Sequence, residues 1–191
     1  MRYFEFNRNG RIPPMVHGKD QNGNPLKDHS HLFILPRGNR LGRIDHVLIF
    51  TRAEGGFEEG IEDAIAKVHT IRWIESIRCV SSWVGQVGDR DIRPMARVVE
   101  SSTPFVTVRH WRKGRDHFVP DEIVRECEHH GLPEPIDVRP SGLKVPLFRR
   151  NREGEPSRQG YAVRIDFPEE VRTPFSLGYG CHFGLGQFEK A

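Results

Sequence analysis

The stretch "GYAVRIDFP", residues 160 to 168, does the most to constrain what this chain can fold into. Tyr161, Val163, Ile165 and Phe167 alternate with Ala162, Arg164 and Asp166. Side chains of an extended strand point to opposite faces in turn, so the pattern predicts a strand with one apolar and one polar face. Just upstream, "PDEIVRECEHHG" (120 to 131) predicts a helix, with Pro120 near its start and Gly131 at its end. "PFVTVRHW" (104 to 111) and "PIDVRP" (135 to 140) read as further strands. The second half therefore reads β-α-β-β, a glycine-rich loop, then a last short strand.

The first half follows a related plan. Residues 1 to 27 are dense in Gly, Pro, Asn and Asp and read as irregular. Residues 29 to 35 and 43 to 51 read as two strands of a hairpin, joined by "PRGNRLG". "FEEGIEDAIAKVHTIRW" (57 to 73) reads as a helix, with acidic residues in its first turns, and 77 to 87 as a strand. Hairpin, helix and strand make up the back two-thirds of a β-α-β-β-α-β unit. The pattern breaks around "GDRDIRP". The expected organisation is α+β, with ferredoxin-like (RNA-recognition-motif-like) units in tandem. An irregular segment 1–27 leads into a first, incomplete unit at 28–90 and a second at 91–191.

At 191 residues the chain can bury a sizeable core. No apolar run approaches the roughly 20 residues of a membrane-spanning helix. "MRYFEFNRNGR" lacks the apolar core of a signal peptide. Cys79, Cys127 and Cys181 are far apart, which argues against a disulfide framework or a cysteine zinc site and suits a reducing cytoplasm. The net charge of +3 is unevenly distributed. "RHWRKGR" holds Arg109, Arg112, Lys113 and Arg115 around His110 and Trp111. That composition suits a phosphate backbone and one stacking platform. "LFRRNREGEPSRQG" adds Arg149 and Arg150 in a stretch composed like a loop that orders on a partner.

The candidate chemistry rests on histidines. "DHSHLFILPRGNRLGRIDHVLIF" carries His29, His31 and His46. On a strand, His29 and His31 share a face with Phe33 and Leu35. Pairing Pro36 near Arg43 would bring His46 to that face, and a one-residue slip would send it to the other. Histidines on an exposed face can supply a general acid and a general base, as cleavage of RNA by its own 2′-hydroxyl requires. H-x-H with Asp45 and His46 nearby also resembles a metallohydrolase ligand set that would suit zinc, manganese or iron. Histidines satisfied by structural hydrogen bonds are the third reading. His129 and His130, at the end of the predicted helix, would complement its dipole.

"LGYGCHFGLGQF" places Gly178, Gly180, Gly184 and Gly186 around His182. Such a loop can bring backbone N–H groups close to a phosphate, or can serve a tight turn alone. It lacks the G-K-[ST] ending of a Walker loop, and no helical pattern follows as in a dinucleotide fingerprint.

Taken together, "HSHLFILP…GRIDHVLIF", "TPFVTVRHW", "GLPEP" and "GYAVRIDFPEEVRTPFSLGYGCHFGLGQF" resemble the C-terminal part of the CRISPR-associated fusion proteins of type I-U (I-G) systems. In those proteins a Cas-five-like part is joined to a Cas-six-like part. The resemblance spans roughly residues 28 to 188. It implies ferredoxin-like domains of the repeat-associated superfamily and an endoribonuclease that cuts the repeat of CRISPR precursor RNA. It implies no metal and no cofactor, products ending in a 2′,3′-cyclic phosphate, and a glycine-rich loop, here Gly178 to Gly186, on the RNA. The implied partners are repeat RNA, mature guide RNA, a Cas-five-like domain or chain, and other subunits of a type I effector complex, with no membrane. The catalytic histidine varies across the superfamily, so His29, His31, His46 and His182 all stand as candidates. The family proteins are longer, and their Cas-five-like part precedes the region seen here, so this chain would be a separated or truncated half. A guide-RNA carrier without catalysis and an H-x-H metal hydrolase are the alternatives.

Overall fold

The structure, a computed structural model, describes residues 13–24, 26, 31–38, 44–52, 56–66, 70–74, 77–80, 93–109, 118–142 and 159–191. In chain order its elements are α1 (Pro14–His17), β1 (Phe33–Gly38), β2 (Ile44–Phe50), α2 (Ile61–Ala66), β3 (Thr70–Ile74), β4 (Ile77–Val80), β5 (Met95–Ser101), β6 (Phe105–Val106), α3 (Phe118–His129), β7 (Asp137–Pro140), β8 (Gly160–Tyr161), β9 (Val163–Arg172), β10 (Phe175–Ser176), a 3-10 turn at Cys181–Phe183, and β11 (Gln187–Lys190). Antiparallel sheets and few helices make this a mixed α+β protein. Among the described residues no helix is long and apolar enough to cross a membrane.

The chain divides into two compact units, one of Met1–Leu32 with Phe50–Val87 and the other of Phe33–Ile49 with Gly88–Ala191. The β1–β2 hairpin is grouped with the second unit, whereas its sequence position suggested the first. In the first unit the segment read as irregular contains α1, closed by Gly18 at φ +71°. The Met15 amide donates to Glu58 at 3.0 Å, and the Met15 carbonyl accepts from the Leu32 amide at 2.9 Å. The helix expected over 57 to 73 ends at Ala66, and Thr70–Ile74 pairs instead with Ile77–Val80 as a hairpin. "TIRWI" is β-branched and aromatic, which suits a pleated strand better than a helix.

In the second unit a five-stranded sheet runs in the order β10-β11-β5-β9-β7, every adjacent pair antiparallel. β5 and β7 flank β9, and α3 connects them along the chain. The alternation that predicted β9 is realised: Val163, Ile165 and Phe167 are buried. Phe118, Glu122, Ile123, Glu126 and Cys127 form the buried stripe of α3. Ile123 and Cys127 join Val99, Ile165, Phe175, Leu177 and Phe188 in one apolar cluster. Each of those phenylalanines contributes about 1.5–3 kcal/mol by leaving water. α3 ends in a Schellman motif at Gly131 (φ +63°): Leu132 N–H donates to Cys127 at 2.9 Å and Gly131 N–H to Glu128 at 3.1 Å.

Other strands also differ from the sequence reading. β5, the strand between β11 and β9, lies in a segment that the sequence pattern leaves unassigned. The strand expected at 104 to 111 is described only as β6, two residues long. The hairpin strand expected from residue 29 begins at Phe33.

Candidate functional site

The glycine-rich segment folds into a tight turn between β10 and β11. Gly178, Gly180, Gly184 and Gly186 all have positive φ, between +58° and +84°. Close packing demands glycine as well. A Cβ on Gly178 would strike the Val106 carbonyl and come 2.7 Å from the Phe105 ring, and one on Gly184 would strike the Pro36 ring. The turn therefore seats directly against β1 and β6.

Several of its backbone donors are used inside the protein. Gly178 N–H donates to the Glu126 carboxylate at 2.9 Å. Tyr179 N–H donates to Val106, Phe183 N–H to Gly180 and Gly186 N–H to Pro104, all within 2.9 Å. Gly184 N–H bonds back to Cys181 at 3.3 Å. The expected phosphate cradle of free amides is thus closed at Gly178, Gly184 and Gly186, and glycine serves chain geometry there.

The turn delivers His182 to the interior. His182 is 9% exposed, and its ring lies on Phe33 with centroids 4.0 Å apart and planes inclined by 31°. The other neighbour of Phe33 is His130, edge-on at 6.2 Å. His130 Nε2 lies 3.9 Å from the Glu126 carboxylate, the same group that holds Gly178 N–H. Burial raises the Glu126 carboxyl above its ordinary value; the Gly178 amide opposes the rise, as do His129 and Arg125, while Glu122 adds to it. Phe33, His130, Glu126, Gly178 and His182 thus form one buried chain of contacts linking β1, α3 and the turn. Phe183, next along, is 63% exposed.

One helical turn before Glu126, Glu122 is 1% exposed and ion-paired to the Arg109 guanidinium. It also accepts the Arg109 amide at 3.2 Å. Arg109, expected on phosphate, is thus committed to a buried carboxylate that anchors the start of the basic stretch.

Of the other histidines proposed from the sequence, His31 and His46 lie among the described residues. His31 belongs to the first unit, lies just before β1 and packs against Gly18; burial lowers its pKa. Its place before the strand removes the face it was expected to share with Phe33 and Leu35. His46 is exposed on β2 in the second unit. His29, Arg112, Lys113, Arg115, Arg149 and Arg150 lie outside the described residues. Among the described residues no group of three His, Cys, Asp or Glu side chains is arranged to hold a metal ion. Sequence reasoning missed Glu122 and Glu126 and gave His130 only a role at the helix dipole. Their i, i+4, i+8 spacing on one helix face, continuous with Ile123 and Cys127, is the signal that could have found them. No family model, curated protein or solved structure matches this chain.

Proposed function

We propose that this protein is a metal-independent endoribonuclease that processes CRISPR precursor RNA within the repeat. It acts in the cytoplasm and stays on its product as a subunit of a type I effector complex, beside a Cas-five-like domain or chain. The observation that carries this reading is the strand order β11-β5-β9-β7, with α3 connecting β5 to β7 around β9. That arrangement supports a ferredoxin-like unit of the RNA-recognition type. The glycine-rich turn then falls before the last strand, the position that the resemblance gives to the RNA-contacting loop.

The chemistry asked of the protein is modest. One group takes the proton of a ribose 2′-hydroxyl as its oxygen attacks the adjacent phosphorus. Another gives a proton to the departing 5′-oxygen. His46, exposed on β2, has the access such a role needs, and the turn fixes His182 in place.

A second reading, a carrier of guide RNA without catalysis, is favoured by the burial of His182 and by the inward-turned amides of the glycine turn. Incubation of the chain with end-labelled repeat RNA in EDTA separates the two. Specific cutting supports the nuclease. Tight binding without cutting, alone and with the Cas-five-like partner added, leaves the carrier.

A further inference from the structure

Sheets of the RNA-recognition type stack bases on aromatic side chains of their open face. In the second unit the central strands of β11-β5-β9-β7 are β5 and β9. Val99 and Ile165 are buried in the cluster shared with α3, so Glu100, Arg164 and Asp166, next along each strand, point to the opposite face. Ion pairs occupy that face. The Arg164 guanidinium lies 2.9 Å from Glu100 and 3.6 Å from Asp166. Arg139 on β7 lies 3.3 Å from Asp166 and 2.6 Å from Asp137. These positions offer a base no ring to stack on.

The ring stands on the glycine turn instead. Phe183 is 63% exposed, and among the described side chains no other Phe, Tyr or Trp is exposed. This is not the exposure of a loose loop, because Cys181, His182 and Gly184 beside it are buried. The Phe183 amide donates to the Gly180 carbonyl at 2.9 Å. The Cys181 carbonyl accepts the Ser176 hydroxyl, and the Gly184 carbonyl accepts the Thr103 hydroxyl, each at 2.7 Å. The backbone is thus pinned on both sides of the ring, which lowers the entropy lost when a flat partner docks on it. The same turn is tied to the root of the basic stretch 109–115: Tyr179 N–H donates to the Val106 carbonyl at 2.8 Å, three residues before Arg109. An aromatic ring beside a run of cations is the combination that holds single-stranded nucleic acid. We infer that Phe183 is a base-stacking residue, so that the turn contacts RNA through this ring and not through a cradle of amides. The assignment rests on the RNA-binding function proposed above.

The test measures binding of a fluorescent single-stranded repeat RNA to the wild type, Phe183→Ala, Phe183→Leu and Phe183→Trp. Phe183→Ala should weaken the Kd by roughly five- to a hundredfold, the range for one lost base–aromatic stack. The salt slope should not change, because a neutral ring releases no counterion. Phe183→Leu, which keeps an apolar side chain without the ring, should weaken binding nearly as much. Phe183→Trp should bind at least as tightly as the wild type, and RNA should quench its added indole fluorescence. RNA binding that Phe183→Ala leaves unchanged overturns the stacking role and leaves the RNA reading standing. A dimer in sedimentation that Phe183→Ala disperses, with RNA binding unaltered, overturns it in favour of a contact between copies of this chain. Absence of RNA binding by the wild type overturns the RNA reading and the stacking role together.

Discussion

The imidazole of His182 lies on the ring of Phe33, centroids 4.0 Å apart, although 149 residues separate them. The contact joins the glycine turn to β1, and it gives His182 a packing role alongside any chemical one. Two substitutions separate the roles. His182→Phe keeps a ring on Phe33 and removes the titratable group. It should melt close to the wild type and cut repeat RNA at least a hundredfold more slowly, with RNA affinity within about threefold. His182→Ala should also lose about 1–3 kcal/mol of stability in a urea titration. Normal cutting by His182→Phe would remove His182 from the chemistry.

Gly184 and Gly131 make a matched pair. Both have positive φ, but a Cβ on Gly184 would collide with Pro36 whereas one on Gly131 meets nothing within 4 Å. Gly131→Ala should cost about 1 kcal/mol, the backbone term alone. Gly184→Ala should cost about 2–4 kcal/mol, because β1 or the turn must move as well. Equal losses of stability for the two in chemical denaturation would show that the turn is not seated on β1 as described.

Arg109 and Glu122 predict a contrast between stability and binding. Arg109→Ala strands a carboxylate that is 1% exposed, so stability should fall by about 1–3 kcal/mol, discounted because the arginine itself is 42% exposed. Glu122→Gln in the same background should recover much of the loss by removing the stranded charge. The salt dependence of RNA binding should not change in Arg109→Ala once folded protein is measured, since the guanidinium serves Glu122. A shallower salt slope would return Arg109 to the phosphate contacts.

Glu126 predicts a direction for stability against pH. Burial raises its folded pKa above the ordinary value of 4.5, so the folded state holds this proton more tightly than the unfolded state does. The resulting stability is fully present below the unfolded pKa and is lost as pH rises through the folded pKa. Glu126→Gln should remove that part of the pH dependence, so the difference between variant and wild type should grow in the variant's favour as pH rises from about 4 to 7. A difference that stays constant over that range would mean that Glu126 titrates as it does in the unfolded chain.

What was legible in the sequence was local and periodic. Tyr161 to Phe167 displayed the two-residue period of β9, and Pro120 and Gly131 bracketed α3 to within two residues. β5 was not legible because its register shifts between Ala96 and Val98, and the buried positions Ala96, Val99 and Ser101 then break strict alternation. The helix read through to Trp73 failed because Ile65, Val68 and Ile71 keep helical spacing across a segment whose β-branched and aromatic residues pair as a hairpin.

The site was legible in composition and not in geometry. Glycines around His182 marked a special backbone, but the sequence could not tell a phosphate cradle from a turn packed against Phe105 and Pro36. That distinction depends on contacts with residues 70 to 150 positions away. His130 was read only as a helix-end complement to the dipole, yet it is buried beside Phe33. Glu122 and Glu126 carried no motif. Their importance comes from the burial that α3 imposes on that face.

The most direct test of the central claim is the mass of the 5′ fragment released from CRISPR repeat RNA incubated with this protein in EDTA. The account predicts one cut within the repeat and a fragment ending in a 2′,3′-cyclic phosphate, with a 5′-hydroxyl on the other product. Repeat RNA left whole by the chain, with and without the Cas-five-like partner, would contradict it, as would cutting only on addition of a divalent metal to give a 3′-hydroxyl.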